Sequence, residues 1–149
     1  MKNTSLPTLP CMCSSFRRSA RALTQCYQEA LRPLGLHTSQ FTILQVLSLT
    51  GGVSQGQLGQ MLAMDSTTLT RTLRIMLRQN WIAETRGEDR RERRLGLAKG
   101  GERLLGRALP IWEKVQLHLQ QRLGPQTWKT ILQLTNEVTQ IALSQGERI

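Results

Sequence analysis

Between Ser54 and Leu97 two short helical patterns stand only three residues apart and are followed by two alternating segments around a charged tip. Few folds accept that order. Ser54 with Gln57 has the spacing of a capping box, in which two side chains satisfy orphan amides at a helix start, so a helix is predicted from Gln55 to Ala63. After Ala63, Met64 and Asp65, a second helix starts at Asp65 or Ser66, either of which can cap it, and stops near Asn80, a residue tolerant of left-handed backbone. Two helices joined so tightly form a helix-turn-helix. Ile82 to Arg86 and Arg93 to Leu97 then alternate in type about Gly87, Glu88, Asp89, Arg90 and Arg91, the pattern of a hairpin, or wing.

The flanks are helical. Residues 1–14, with Pro7 and Pro10 and no period, are expected to be a flexible arm. Phe16, Ala20, Leu23, Tyr27 and Leu31 form one face of a helix from Ser15 to Leu31, stopped by Pro33. Phe41, Leu44, Val46, Leu47 and Leu49 mark a mostly buried second helix ending at Gly51 and Gly52. Beyond Gly101 an apolar stripe from Leu104 to Leu123 predicts a long helix bent at Pro110, and a last helix opens near Pro125. The expected fold is mainly α with a small β-hairpin wing: a winged helix-turn-helix with long N- and C-terminal dimerisation helices. Residues 15–149 form a single domain, with a DNA-binding lobe at 36–98 and dimerisation helices at 15–35 and 99–145. The stripes on the last two helices exceed what one compact winged-helix unit can cover, which points to association of two copies.

Charge selects the partner. Lys and Arg outnumber Asp and Glu by ten, which attracts polyanions, and with two Phe and one Tyr the chain has few platforms for stacking single-stranded bases. No apolar run approaches the roughly 18 residues of a membrane span, and the N-terminus lacks a basic-then-apolar signal, so a cytoplasmic protein without a membrane partner is expected. Cys11, Cys13 and Cys26 have no disulfide or zinc spacing. No metal or cofactor is expected, and without a phosphate loop or a Ser-His-Asp or Cys-His set an enzyme is not expected either.

On the second helix of the motif, Leu69, Leu73, Met76 and Leu77 share one face and leave Thr67, Thr70, Arg71, Arg74 and Arg78 on the other. Short hydroxyl side chains let a helix approach base edges, while Arg71 or Arg74 reaches guanine or phosphate. A merely solvated basic face is the plainer alternative. The tip places Arg90, Arg91, Arg93 and Arg94 on a slender projection suited to a minor groove. Asp89 reads as an organiser of that loop, or as charge balance.

The stretches Gly35-Leu36-His37-Thr38-Ser39-Gln40-Phe41, Leu58 with Leu62, Asp65-Ser66-Thr67-Thr68-Leu69-Thr70-Arg71, and Asp89-Arg90-Arg91 with Leu97 ahead of Gly101 together resemble the MarR family of winged-helix regulators, over residues 15 to about 145. The resemblance implies a homodimer with interleaved terminal helices on a pseudo-palindromic operator in double-stranded DNA. Ser66, Thr67, Thr70 and Arg71 would then face the major groove and Arg90 or Arg91 the minor groove; Thr68 and Arg74 complete the candidate contacts. It also implies a small aromatic or anionic effector. Arg17 and Arg21, one helical turn apart, with His37 could bind a carboxylate or phenolate, although such arginines are more often solvated or structural and His37 can simply cap its helix. Cys13, 14 residues before Tyr27, resembles the reactive cysteine of the family's hydroperoxide sensors, with Arg17 to favour a thiolate. Thr38 stands where those sensors carry a tyrosine. The expected function is a sequence-specific regulator, a repressor released by an effector or by thiol oxidation. The alternative is a non-specific architectural DNA-binding protein.

Overall fold

The computed structural model describes residues 10–87 and 93–145, with the side chain of Gln145 left aside. They fall into two compact units divided after Trp112. In the first, α1 (Met12–Leu31) leads through a 3-10 turn (Arg32–Leu34) to α2 (Thr38–Thr50), β1 (Val53–Ser54), α3 (Gln55–Leu62), α4 (Ser66–Arg78), β2 (Ile82–Arg86), β3 (Arg93–Leu97) and the start of α5 (Lys99–Leu123). In the second, the remainder of α5 is followed by Gly124, at φ 79°, and α6 (Pro125–Gln145).

Three local expectations change. Met12 to Ser14 belong to α1 rather than to an arm: none of them breaks a helix, and the Ser15 amide donates to Cys11 O at 3.0 Å. Leu49 is 86% exposed because it lies two residues, about 200°, round α2 from the fully buried Leu47. Arg93 and Arg94 are strand residues, not tip residues. The long helix expected across Pro110 is present as α5.

The core of the first unit joins Leu31 and Leu36 to Phe41, Ile43, Leu44 and Leu47 of α2, Leu58 of α3, and Leu69, Leu73 and Met76 of α4. Ile82 and Leu95 close it from the sheet, and Leu104, Leu105 and Ala108 from α5. Trp112 packs against that core, its ring 6.1 Å from Phe41 and tilted by 43°.

The sheet is antiparallel in the order β1-β3-β2, and the hairpin register runs from Ile82 opposite Leu97 to Arg86 opposite Arg93. Strand β1 pairs Val53 with Leu95 and Ser54 with Arg94. It joins the entry of the helix-turn-helix directly to the wing. The second unit buries little of its own: Leu117, Ile131, Leu132, Leu134, Ile141 and Leu143 are all exposed. Among the described residues no helix is long and apolar enough to cross a membrane, and no three His, Cys, Asp or Glu side chains gather as a metal site.

Candidate nucleic-acid interface

Both helices of the motif are defined by their own ends. The Ser54 amide donates to Gln57 Oε1 at 3.0 Å and the Gln57 amide to Ser54 Oγ at 3.2 Å, a complete capping box on α3. Ala63 closes α3 with φ 49°, a left-handed conformation unfavourable for a residue with a Cβ. Asp65 caps α4, accepting from the Thr68 amide at 2.8 Å and from Thr68 Oγ1 at 2.6 Å. Those bonds, led by the one from the Thr68 hydroxyl, hold the Asp65 carboxyl below its ordinary pKa. At the far end the Trp81 amide reaches Met76 O and the Asn80 amide Leu77 O, each at 3.0 Å, with Asn80 at φ 53°. That is a Schellman stop.

With Leu69, Leu73 and Met76 buried and Leu77 half-buried, α4 presents Ser66, Thr67, Thr70, Arg71 and Arg74, which line one open hollow. Thr68 is not part of it. It is exposed, but its hydroxyl is engaged by Asp65 and its carbonyl accepts from Thr72 Oγ1 at 3.0 Å. Arg78 is exposed in the last turn. Gln55 Nε2 donates to Thr70 Oγ1 at 2.8 Å, a tie between the two helices that periodicity could not reveal, since fifteen residues separate the partners.

On the wing, Arg93 and Arg86 stand opposite one another, and Arg93 Nη1 lies 3.4 Å from Glu84 Oε2. An exposed pair of this kind contributes about 0.2–1 kcal/mol. Arg94 differs: its Nη2 donates to Gly52 O at 2.8 Å, fastening β3 to the residue before β1. Gly52 is buried at φ 135°, and a Cβ there would stand 3.3 Å from Leu95 O. Asp89, Arg90 and Arg91 lie outside the described residues.

The effector and redox candidates are scattered. Arg17 and Arg21 are exposed on α1, and His37 is exposed at the N-cap of α2, its amide donating to Gln40 Oε1 at 2.9 Å. Among the described residues no hydrogen bond joins those three. Instead Gln28 connects α1 to the start of α2, donating to Leu36 O at 3.2 Å and accepting from the Thr38 amide at 3.1 Å. Cys13 is exposed in the first turn of α1, one turn before Arg17. Burial raises the Tyr27 phenol above its ordinary pKa.

Comparison with known proteins bears on the fold and the family. A model of the MarR family matches residues 36–92. The chain is similar to the M. tuberculosis transcriptional regulator MosR, solved in complex with DNA: 34% identity, 93% of this chain and 99% of that one covered, TM-score 0.81. It shares its fold with a mutant MarR from E. coli complexed with operator DNA, at 19% identity and TM-score 0.76 over 85% of this chain and 92% of that one. It is also 33% identical over 86 residues to the HTH-type transcriptional regulator YwoH of Bacillus subtilis (strain 168), a match spanning 58% of this chain and 63% of that relative.

Proposed function

The chain belongs to the MarR family of transcriptional regulators, and from that premise we propose that it is a homodimeric, sequence-specific reader of double-stranded DNA. It acts as a repressor on a pseudo-palindromic operator. The observation that carries this reading is the outward face of α4, where two arginines and three short hydroxyl side chains share one open hollow on a helix packed by Leu69, Leu73 and Met76. Hydroxyls and arginine on one helix face suit the donor and acceptor edges of a major groove. Arg86 and Arg93 continue the positive surface onto the wing, and Arg90 and Arg91, which lie between them in sequence, take the minor groove.

The working division is a DNA-binding lobe at 36–98 and dimerisation helices at 15–35 and 99–145. Exposed Phe16 and Leu23 on α1, with the exposed leucines and isoleucines of α6, support it. Two-fold symmetry then sets the two α4 helices about 34–36 Å apart, one turn of DNA. The dimer works in the cytoplasm, with no catalytic step.

Release follows when a small aromatic or anionic effector at Arg17, Arg21 and His37, or oxidation of Cys13, favours a dimer whose α4 helices no longer match that spacing. Supporting the thiol is the exposure of Cys13 in a first helical turn near Arg17. Loss of peroxide-induced release in Cys13→Ser supports oxidation; unchanged release transfers the role to an effector.

The deciding experiment is competition between a duplex selected by the protein and random duplex at fixed salt. Equal affinity for both would replace the regulator with a non-specific architectural protein. In the same assay Arg71→Ala loses discrimination, whereas Arg91→Ala weakens all sequences alike and lowers the salt slope by about one.

A further inference from the structure

On the DNA-binding reading just proposed, we infer that Gln55 is a specificity-determining positioning residue: it fixes the polarity of the Thr70 hydroxyl, so that the pair requires a hydrogen-bond acceptor on the base it meets. A threonine hydroxyl carries one proton and two acceptor lone pairs, and it rotates to suit its surroundings. A free one satisfies donor and acceptor bases equally and discriminates little. Here the Gln55 amide donates to Thr70 Oγ1 at 2.8 Å, occupying a lone pair and turning the O–H elsewhere.

Two other hydroxyls of α4 are tied within the helix. Thr68 donates to Asp65 Oδ2 at 2.6 Å and Thr72 to Thr68 O at 3.0 Å. Among the described residues Thr70 donates to nothing, so its proton is left for an occupant of the hollow it shares with Ser66, Thr67, Arg71 and Arg74. In the major groove the acceptors are purine N7, guanine O6 and thymine O4, whereas cytosine presents an amino group. The pair therefore selects thymine or a purine and rejects cytosine. Gln55 is a firm anchor because it opens α3 directly after the Ser54 capping box, which fixes the helix start from both sides.

Glutamate at position 55 reverses the logic. A carboxylate only accepts, so Thr70 must donate to it and turn lone pairs toward the groove, where an amino group becomes the preferred partner. Neither residue belongs to the core, both being exposed, and a negative charge in a first helical turn is favourable. The variants should therefore fold as the parent does.

The test is enrichment from a pool of duplexes randomised over two helical turns, using the full-length dimer with no substitution, Q55A, Q55E, T70V and Q55A/T70V. Q55A and T70V should each lose roughly three- to ten-fold of preference at one and the same base pair, the worth of one hydrogen bond. The double variant should lose no more than T70V alone. Q55E should reverse the preference at that pair toward cytosine, whose major-groove edge presents only an amino donor, a change that mere structural support of α4 would not produce. The inference is overturned if Q55A weakens every sequence equally, acts at a different base pair, or leaves the enriched sequence unchanged. Failure of the unsubstituted protein to enrich any sequence would overturn the underlying DNA-reading proposal instead.

Discussion

Replacing Gly101 by alanine would drive a methyl group into the backbone of Trp81. An ideal Cβ at position 101 would stand 1.9 Å from Trp81 O, 2.9 Å from Trp81 C and 3.2 Å from Leu44 Cδ2. The first distance is about 1.5 Å short of ordinary contact, and neither obstacle from Trp81 is a flexible side-chain tip. Helix α5 or the start of β2 must therefore retreat, which strains the 3.1 Å bond from the Ala98 amide to Trp81 O. Overpacking of a close-packed interior costs about 1–3 kcal/mol, and backbone obstacles belong at the upper end. Alanine in place of glycine in a helix returns at most about 1 kcal/mol.

The net expectation is a loss of about 2 kcal/mol, a fall in Tm of roughly 4–8 °C for a chain of this size. Gly106, on the same helix, is the control: a Cβ there meets no atom within 4 Å. Gly106→Ala should gain about 0.5–1 kcal/mol from helix propensity alone. Urea and thermal unfolding at one fixed protein concentration measure both, because dimer stability varies with concentration. The reasoning is refuted if Gly101→Ala is as stable as the parent, or if both alanines shift stability in the same direction.

Three further outcomes can be checked directly. Ala63→Gly removes a left-handed alanine from the turn of the helix-turn-helix and should raise stability by about 0.5–1 kcal/mol in urea unfolding. Asp65 has a lowered pKa in the folded state, so its capping contribution is present above the unfolded-state pKa and disappears as pH falls through the folded one. Amide exchange at Thr68, corrected for its intrinsic pH dependence, should lose protection in that acid range, and Asp65→Asn should abolish the step. Truncation after Gly124 removes α6 with its exposed Ile131, Leu132, Leu134, Ile141 and Leu143. Sedimentation should then show monomer or aggregate with weak DNA binding, and a well-behaved dimer would refute the interface.

What could be read from the chain was what the chain decides locally. The capping box at Ser54, the cap at Asp65, the stop at Asn80 and the strands Ile82 to Arg86 and Arg93 to Leu97 each involve residues within a few positions of one another, and all are present. Strand β1 escaped because two residues cannot display a period and their partners, Leu95 and Arg94, lie some forty residues on. Gln55 escaped for the same reason: its bond to Thr70 exists only once α3 and α4 are packed. Leu49 belongs to an apolar run, but successive helical positions point in different directions and it faces solvent.

The arginines illustrate the boundary most clearly. Neighbours in sequence, Arg93 and Arg94 have opposite fates, because successive strand residues point to opposite faces. Arg94 donates to Gly52 O and helps hold the wing to the helix-turn-helix, so its guanidinium is partly engaged within the fold. Arg93 shares its face with Arg86, directly across the ladder, and with Glu84 on the diagonal. Like charges directly opposite destabilise a hairpin, and one exposed carboxylate offsets only part of that cost. A polyanion laid along the wing would offset the rest. The net charge of ten says only that an anion is attracted; strand register decides which arginine is tied into the fold and which stays on the exposed face of the wing.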